Sequence, residues 1–489
     1  MKRALSLILV LVFCLSLCAC SLDFSSQIDG LYDSVFDQVI NLGGGLLKED
    51  TSSDDKYNYD DELIESDTNK PGEPIVPDEP NPDEPDEPII PDEPEPDIPD
   101  TPQKPSLIVY QRNEASLYDL VGLNLTSDNH REAGTTYGAV RLYRTLETCV
   151  SDSNGYGYFF LNDVAPIVYV DTDLSKLGTT QTNLDYAKAL YDFAVTFTGS
   201  IVFTSRHVEI GKSPNLTISA QDYAQLLNDC YDGSNGALGE GYGFAEIDPS
   251  IKLISGQLST IDITYIRTVM SEIGKLRTDG FLPIGGWSFS YVKKSEPEKA
   301  YLNDVVFKAL ISYRDNTYAN MELHLSEFGW DSVNSDSANY VSAYGDYSSE
   351  EMQCAYILRS FMIFDYMGLD RATLKTYKDT AADGSGIVAQ NGTKKVAYYA
   401  LEEFTSISHG MYFKEAIING ENNTYVYRFE DENGKSLYAM WTTTGTAEYT
   451  PSVNGTAYTY NGSTQRFASS SYTSSPITLT VMPTFIVAE

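Results

Sequence analysis

The stretch Met321–Ser332, MELHLSEFGWDS, decides the fold. Leu323 and Leu325 alternate with Glu322, His324 and Ser326, a two-residue period that predicts a buried strand, and Glu327 follows at the point where Gly329 breaks the run. A carboxylate is thereby set at the C-terminal end of a strand. In a parallel α/β barrel the loops after the strands build the active face, so catalytic side chains gather at such ends. The competing reading is a plain strand-end Glu that caps a helix or pairs with a cation.

The string Ser326–Asp331, S-E-F-G-W-D, resembles the "T-E-x-G-W" end of strand seven in clan A glycoside hydrolases, whose Glu is the nucleophile of a retaining mechanism. Farther on, Glu350–Gly368 (EEMQCAYILRSFMIFDYMG) and Lys394–Phe404 (KKVAYYALEEF) resemble that clan's seventh and eighth helices, most nearly those of family 39. The resemblance runs from about Leu107 to the C-terminus. It implies an α/β fold, a (β/α)8 TIM barrel over 106–411 followed by a small all-β sandwich over 412–489, with Glu327 as nucleophile of an O-glycoside hydrolase.

Earlier segments fit the same frame. Tyr118–Leu125 (YDLVGLNL) and Gly138–Thr145 (GAVRLYRT) fit strands one and two, and Arg141 stands where the clan's strand-two Arg supports the nucleophile; a structurally paired Arg would share that position. Val164–Val170 is an almost continuous apolar run, as a strand covered on both faces should be. Helical spacing marks Leu184–Phe197 and Asp222–Cys230, and Ile251–Gly256 fits strand five.

The strand-four motif departs from the family. Where the family writes E-I-G-N-E-P-N, this chain reads Glu209-Ile210-Gly211-Lys212-Ser213-Pro214-Asn215. By the resemblance, Lys212 replaces the Asn that touches the sugar's 2-hydroxyl and Ser213 replaces the general acid/base. A serine hydroxyl does not protonate a leaving oxygen near neutral pH. Four residues of strand advance about 13 Å, so Glu209 is expected deep in the barrel. Glu240 and Glu246, on a Gly-rich loop, remain as candidates for a displaced acid. At strand six, Leu282–Tyr291 keeps Tyr291 but has Phe289 and Ser290 where the family carries a His.

Trp287, Tyr291, Trp330 and Tyr377 are candidates to line a sugar groove, because flat aromatic faces stack on sugar rings; each is also an ordinary core residue. The tail changes period. Thr424–Phe429, Ser436–Trp441 and Ile477–Val487 alternate as strands, with Asn433-Gly434 as the turn between the first two.

The N-terminal part is of another kind. Lys2 and Arg3 precede an apolar run, Ala4–Leu17, too short for an ordinary membrane span, and Leu17-Cys18-Ala19-Cys20 resembles a bacterial lipobox. Residues 1–20 are thus expected to be a lipoprotein signal, with lipid on Cys20 tethering the chain outside the cell membrane; a simple secretory signal is the alternative. Residues 21–48 carry a short amphipathic segment. Over 49–105 the run Glu49–Lys104 has 21 acidic residues against three lysines, and 13 prolines lie between Pro71 and Pro105. Such a segment cannot bury enough apolar surface to fold and is expected to be an extended, disordered spacer.

The whole chain has a net charge of −37, which leaves no basic footprint for nucleic acid. Its four histidines are far apart in sequence without ligand spacing, no Gly-rich phosphate loop follows a strand, and the three remaining cysteines, Cys149, Cys230 and Cys354, read as small buried residues; neither a metal nor another cofactor is expected. Two functions stay open. One is a surface glycosidase acting on polysaccharide, the other a tethered glycan-binding lipoprotein whose barrel holds sugar without cutting it.

Overall fold

A computed structural model describes residues 115–125, 137–151, 156, 158–159, 164–170, 180–197 and 207–489. The signal, amphipathic and spacer segments lie outside the described residues, as does Cys20. Eight parallel strands close a barrel in sequential order: β1 Val121–Leu125, β2 Ala139–Arg144, β3 Ala165–Val170, β4 His207–Lys212, β5 Lys252–Gln257, β6 Gly286–Ser290, β7 Glu322–Phe328 and β8 Arg371–Leu374. Closure is made by β8 against β1, with Val121, Gly122 and Leu123 opposite Ala372, Thr373 and Leu374.

Helices α1 Thr180–Phe197, α2 Ala220–Asp232, α3 Ile263–Leu276, α4 Val305–Thr317, α5 Ser349–Tyr366 and α6 Val396–Ser408 cover the outside. Local sequence starts them. Ser219, Asp262 and Asp304 accept hydrogen bonds from the first free N–H groups of α2, α3 and α4, and Ser348 with Glu351 forms a reciprocal capping box on α5. The outward half of each strand's alternation, such as Val140, Leu142, Val208, Ile210, Leu323 and Leu325, is fully buried in the core shared with these helices. The inward half is unusually polar: Asn124, Arg141, Tyr143, Glu209, Ser288, His324 and Ser326.

The C-terminal strands form a six-stranded antiparallel sheet in the order β14-β13-β16-β11-β10-β9, namely Arg466–Thr473, Asn454–Asn461, Thr484–Ala488, Ser436–Thr442, Thr424–Glu430 and Tyr412–Asn419. A two-stranded sheet pairs β12 Ala447–Tyr449 with β15 Ile477–Leu479. Between the two sheets lies a small core of Val426, Met440, Ala457, Tyr472, Leu479 and Ile486, so this part is a two-layer sandwich. The other face, with Tyr427, Phe429, Leu437 and Trp441, joins the main core of the barrel helices.

Two sequence expectations change. Tyr118 does not begin strand one: Leu117–Leu120 is a helical turn, because Ser116 and Asp119 cap it reciprocally. Ile477–Val487 is not one strand but two, which serve different sheets; Pro483, which has no N–H to donate, lies in the crossing.

Candidate functional site

Glu327 owes its direction to a register slip. Phe289 pairs with Leu325, yet the next residue, Ser290, pairs with Glu327, so β7 carries one extra residue against β6. The same slip appears against β8, between Leu325 and Phe328. Such a β-bulge lets two consecutive side chains, Ser326 and Glu327, face the same way. Asn124 holds the bulge by donating from Nδ2 to the Ser326 carbonyl at 2.8 Å.

Two hydroxyls meet the half-buried Glu327 carboxylate. Tyr143 donates to Oε1 at 3.4 Å and Ser290 to Oε2 at 3.2 Å. Tyr143 Oη also accepts from Arg141 Nη1 at 3.3 Å, and the same nitrogen reaches Asn124 Oδ1 at 3.3 Å. Burial raises the Tyr143 phenol's pKa, with the Glu327 charge adding to the rise and Arg141 opposing it, so the phenol keeps its proton and serves as a donor.

By the resemblance Arg141 was expected to support Glu327, with a structural pairing as the alternative. The structure gives its strongest bond to Glu209 instead: Nε to Oε2 is 2.8 Å, with both side chains completely buried. The guanidinium also lies 3.8 Å from the ring centre of Tyr169. Burial is the largest influence and disfavours both charges, but the neighbours together outweigh it: Glu209 with Tyr143, Tyr169 and Glu327 raises the Arg141 pKa, and Arg141 with His324 lowers that of Glu209. Arg141 therefore reaches Glu327 through the Tyr143 hydroxyl.

The end of β4 is shaped by glycines. Gly211 has φ 84°, and a Cβ on Gly256 would lie 1.9 Å from the Gly211 carbonyl oxygen, so only glycine lets the two strand ends approach this closely. Lys212 is exposed. Ser213, half-buried and left-handed at φ 48° and ψ 48°, donates its backbone N–H to the Gln257 carbonyl at 2.8 Å. Asn215 ties this turn to the next strand's loop, accepting from Ser259 N at 3.0 Å and donating to Ser259 Oγ at 3.1 Å.

Three groups of expectations are corrected. Trp287, Tyr291, Trp330 and Tyr377 are 2, 6, 0 and 7 % exposed, so none presents an open ring face. Trp287 takes the outward half of the β6 alternation; Trp330 packs among Phe328, Tyr301 and Tyr356 and donates to the Ser295 carbonyl; Tyr291 stacks on Phe307 and donates to Asp304 at 3.0 Å. Glu240 and Glu246 are exposed on the connection from α2 into β5, which enters the barrel at the end opposite Glu327. They are not displaced acids for this site.

Two of the four histidines, His207 and His324, distant in sequence, are brought together. His207 and His324 each place Nε2 2.9 Å from Glu322 Oε2, and their rings are 5.3 Å apart. His207, Glu322 and His324 are a set that could hold a metal ion. The Lys252 ammonium already sits on the other oxygen of Glu322, however, so these residues form a hydrogen-bonded ion cluster at the entry end of the barrel. Burial and the Glu322 charge act oppositely on the imidazoles: His207 is pushed down to about 4, while His324, between Glu209 and Glu322, is raised.

Tyr143, Ser290 and Asn124 were not singled out as contacts of the site. Tyr143 had a signal: it lies two residues after Arg141, on the same side of β2.

Among known folds, the chain is similar to a family 39 glycoside hydrolase from the gut symbiont Bacteroides cellulosilyticus WH2, with 15% identity over 79% of this chain and 83% of that one and a TM-score of 0.56. It is also similar to a glucosidase from Croceicoccus marinus, with 10% identity over 78% of this chain and 98% of that one and a TM-score of 0.54. No protein-family profile matches the chain, and no curated protein matches it by sequence. The chain shares the fold of these glycoside hydrolases: a TIM barrel with a C-terminal β-sandwich.

Proposed function

We propose that the chain binds saccharides at the strand ends around Glu327, as a glycan-binding protein built on a glycoside-hydrolase barrel whose proton-donor position is filled by Ser213. One observation carries this reading: Glu209, the carboxylate of β4, is completely buried against Arg141 and held ionised, so it has no proton to give. A retaining site needs two carboxyl groups about 5–5.5 Å apart, one of them a donor with a pKa near the working pH. The lipobox-like Leu17–Cys20 and the acidic spacer support a tethered, extracytoplasmic location through Cys20.

A retaining hydrolase of polysaccharide is the second reading. It is favoured by the bulge that turns Glu327 inward between the Tyr143 and Ser290 hydroxyls. Leaving-group chemistry separates the two, because a good leaving group needs no proton. If Glu327 is still oriented for attack, dinitrophenyl and fluoro glycosides should label it covalently while natural linkages are cut very slowly; sugar binding with neither labelling nor rescue leaves the binding reading standing. Ser213→Glu with Lys212→Asn should then recover part of the roughly 10²- to 10⁴-fold that positioned acid catalysis supplies. Efficient cleavage of natural glycans by the unaltered chain, lost in Glu327→Gln, would overturn the binding reading in favour of the hydrolase.

A further inference from the structure

The flank of the barrel carries a cavity that shares no residue with the Glu327 cluster. It is an open space of about 930 Å³ between α4, the C-terminal end of α5 and the β-sandwich. Its roof is unusual. Glu298–Leu302 is a single turn of π-helix, a rare form that is frequent at functional sites. Glu298, Lys299, Leu302 and the following Asn303 line the cavity, and the Glu298 carboxylate is held from behind, accepting from Arg359 Nε at 2.8 Å and from Trp441 Nε1 at 2.7 Å. The wall is therefore fixed from behind by a buried ion pair within the barrel part and by a hydrogen bond from the sandwich.

The lining selects a class of ligand. Asn303, Asn316, Asn419 and Asn423 each carry an amide able to donate and accept, which suits hydroxyl groups, themselves donors and acceptors. Charges do not favour an anion or a cation. Lys299 is paired with Glu296, Glu298 with Arg359 and Asp315 with Arg314, which leaves a single lysine, Lys308, on a lining that also carries three carboxylates. Tyr366 supplies an aromatic edge at the rim: it is 36 % exposed, its ring packs on Phe413 and Tyr427, and its hydroxyl accepts from Asn419 at 3.3 Å. A rigid aromatic body with a polar tip beside several amides is suited to sugar rings. The volume is at the upper end of the roughly 300–1,000 Å³ typical of small-molecule sites.

We propose that this cavity is a second saccharide site, taking a neutral oligosaccharide between the barrel flank and the sandwich. It would hold a polymer on the protein apart from the Glu327 cluster, and it stands whether or not Glu327 engages sugar.

The test uses the purified full chain and calorimetric titration with cellohexaose, xylohexaose and laminarihexaose, with inorganic phosphate as the charged control. Ser312 is exposed on α4 and faces the cavity, so Ser312→Trp fills it without disturbing the core. Asn316→Ala, whose amide otherwise bonds only Ser312, is the milder variant. At least one hexasaccharide should bind, at least tenfold more weakly in Ser312→Trp and measurably more weakly in Asn316→Ala, with affinity at this site unchanged in Glu327→Gln. Melting temperatures equal to the parent's confirm that both variants fold. Binding of all three sugars unaffected by Ser312→Trp, no binding by any of them, or phosphate competing for the cavity would overturn the proposal. Failure of the Glu327 reading would appear separately, as the lack of any saccharide-binding event that Glu327→Gln weakens.

Discussion

Arg141→Met removes the cation from the barrel's interior while keeping most of the side chain's length. Arg141 and Glu209 are both fully inaccessible and joined at 2.8 Å, so the variant leaves a carboxylate in the core with its main partner gone. Breaking a buried pair in this way costs about 3–5 kcal/mol. The size should depend on pH. The folded-state pKa of Glu209 is lowered from its ordinary 4.5, so its pairing contributes stability that is fully present above that value and is lost as pH falls through the folded pKa. In Arg141→Met burial acts with less opposition, the carboxyl takes up a proton more readily, and the gap to the parent narrows toward acid pH. Glu209→Gln on top of Arg141→Met removes the stranded charge and should recover much of the loss. Urea denaturation of the parent, both single variants and the double, at pH 7 and near pH 4, completes the cycle. A single Arg141→Met within about 1 kcal/mol of the parent at pH 7, or a double variant no more stable than Arg141→Met, would refute the account of the pair.

Other outcomes follow from the same interior. His207 has a folded pKa of about 4 against an ordinary 6.5, so its neutral burial contributes stability that is present above 6.5 and is lost as pH falls toward 4, by up to roughly 3 kcal/mol. His207→Gln should flatten melting temperature against pH in that window, and identical slopes would exclude the assignment. Glu298→Ala strands Arg359 and the Trp441 indole N–H where barrel and sandwich meet, and should cost about 3–5 kcal/mol in urea denaturation; a loss below about 1 kcal/mol would show that the pair does not hold the two parts together. Cys20→Ala should release the protein from the membrane fraction, and retention there would count against lipidation.

The sequence by itself determined most of the frame. Alternation, chain order and, for strands four and six, the resemblance to the family's motifs located seven of the barrel strands to within a few residues; a strand covered on both faces or ended by glycine leaves a local mark, as in Val164–Val170 and Met321–Gly329. β8 left none: Arg371–Leu374 is four residues long and follows directly on the turn at Gly368, too short for a period to show. Ser213 at the end of β4 and Glu327 at the end of β7 were legible as positions, since a strand end is a local feature. What lies beside them was not. Whether Trp287 faces a cleft or the helix layer depends on which half of the β6 alternation points inward, and that is set only when the barrel closes. The bulge that turns Glu327 inward is a mismatch between two strands and exists in neither alone. The union of His207 with His324, separated by 117 positions in sequence, likewise arises from strands four and seven meeting across the interior through Glu322. Hydrophobic period is written along the chain, whereas polar contacts inside a closed barrel run across it, and only the tertiary structure decides which polar side chains share the space.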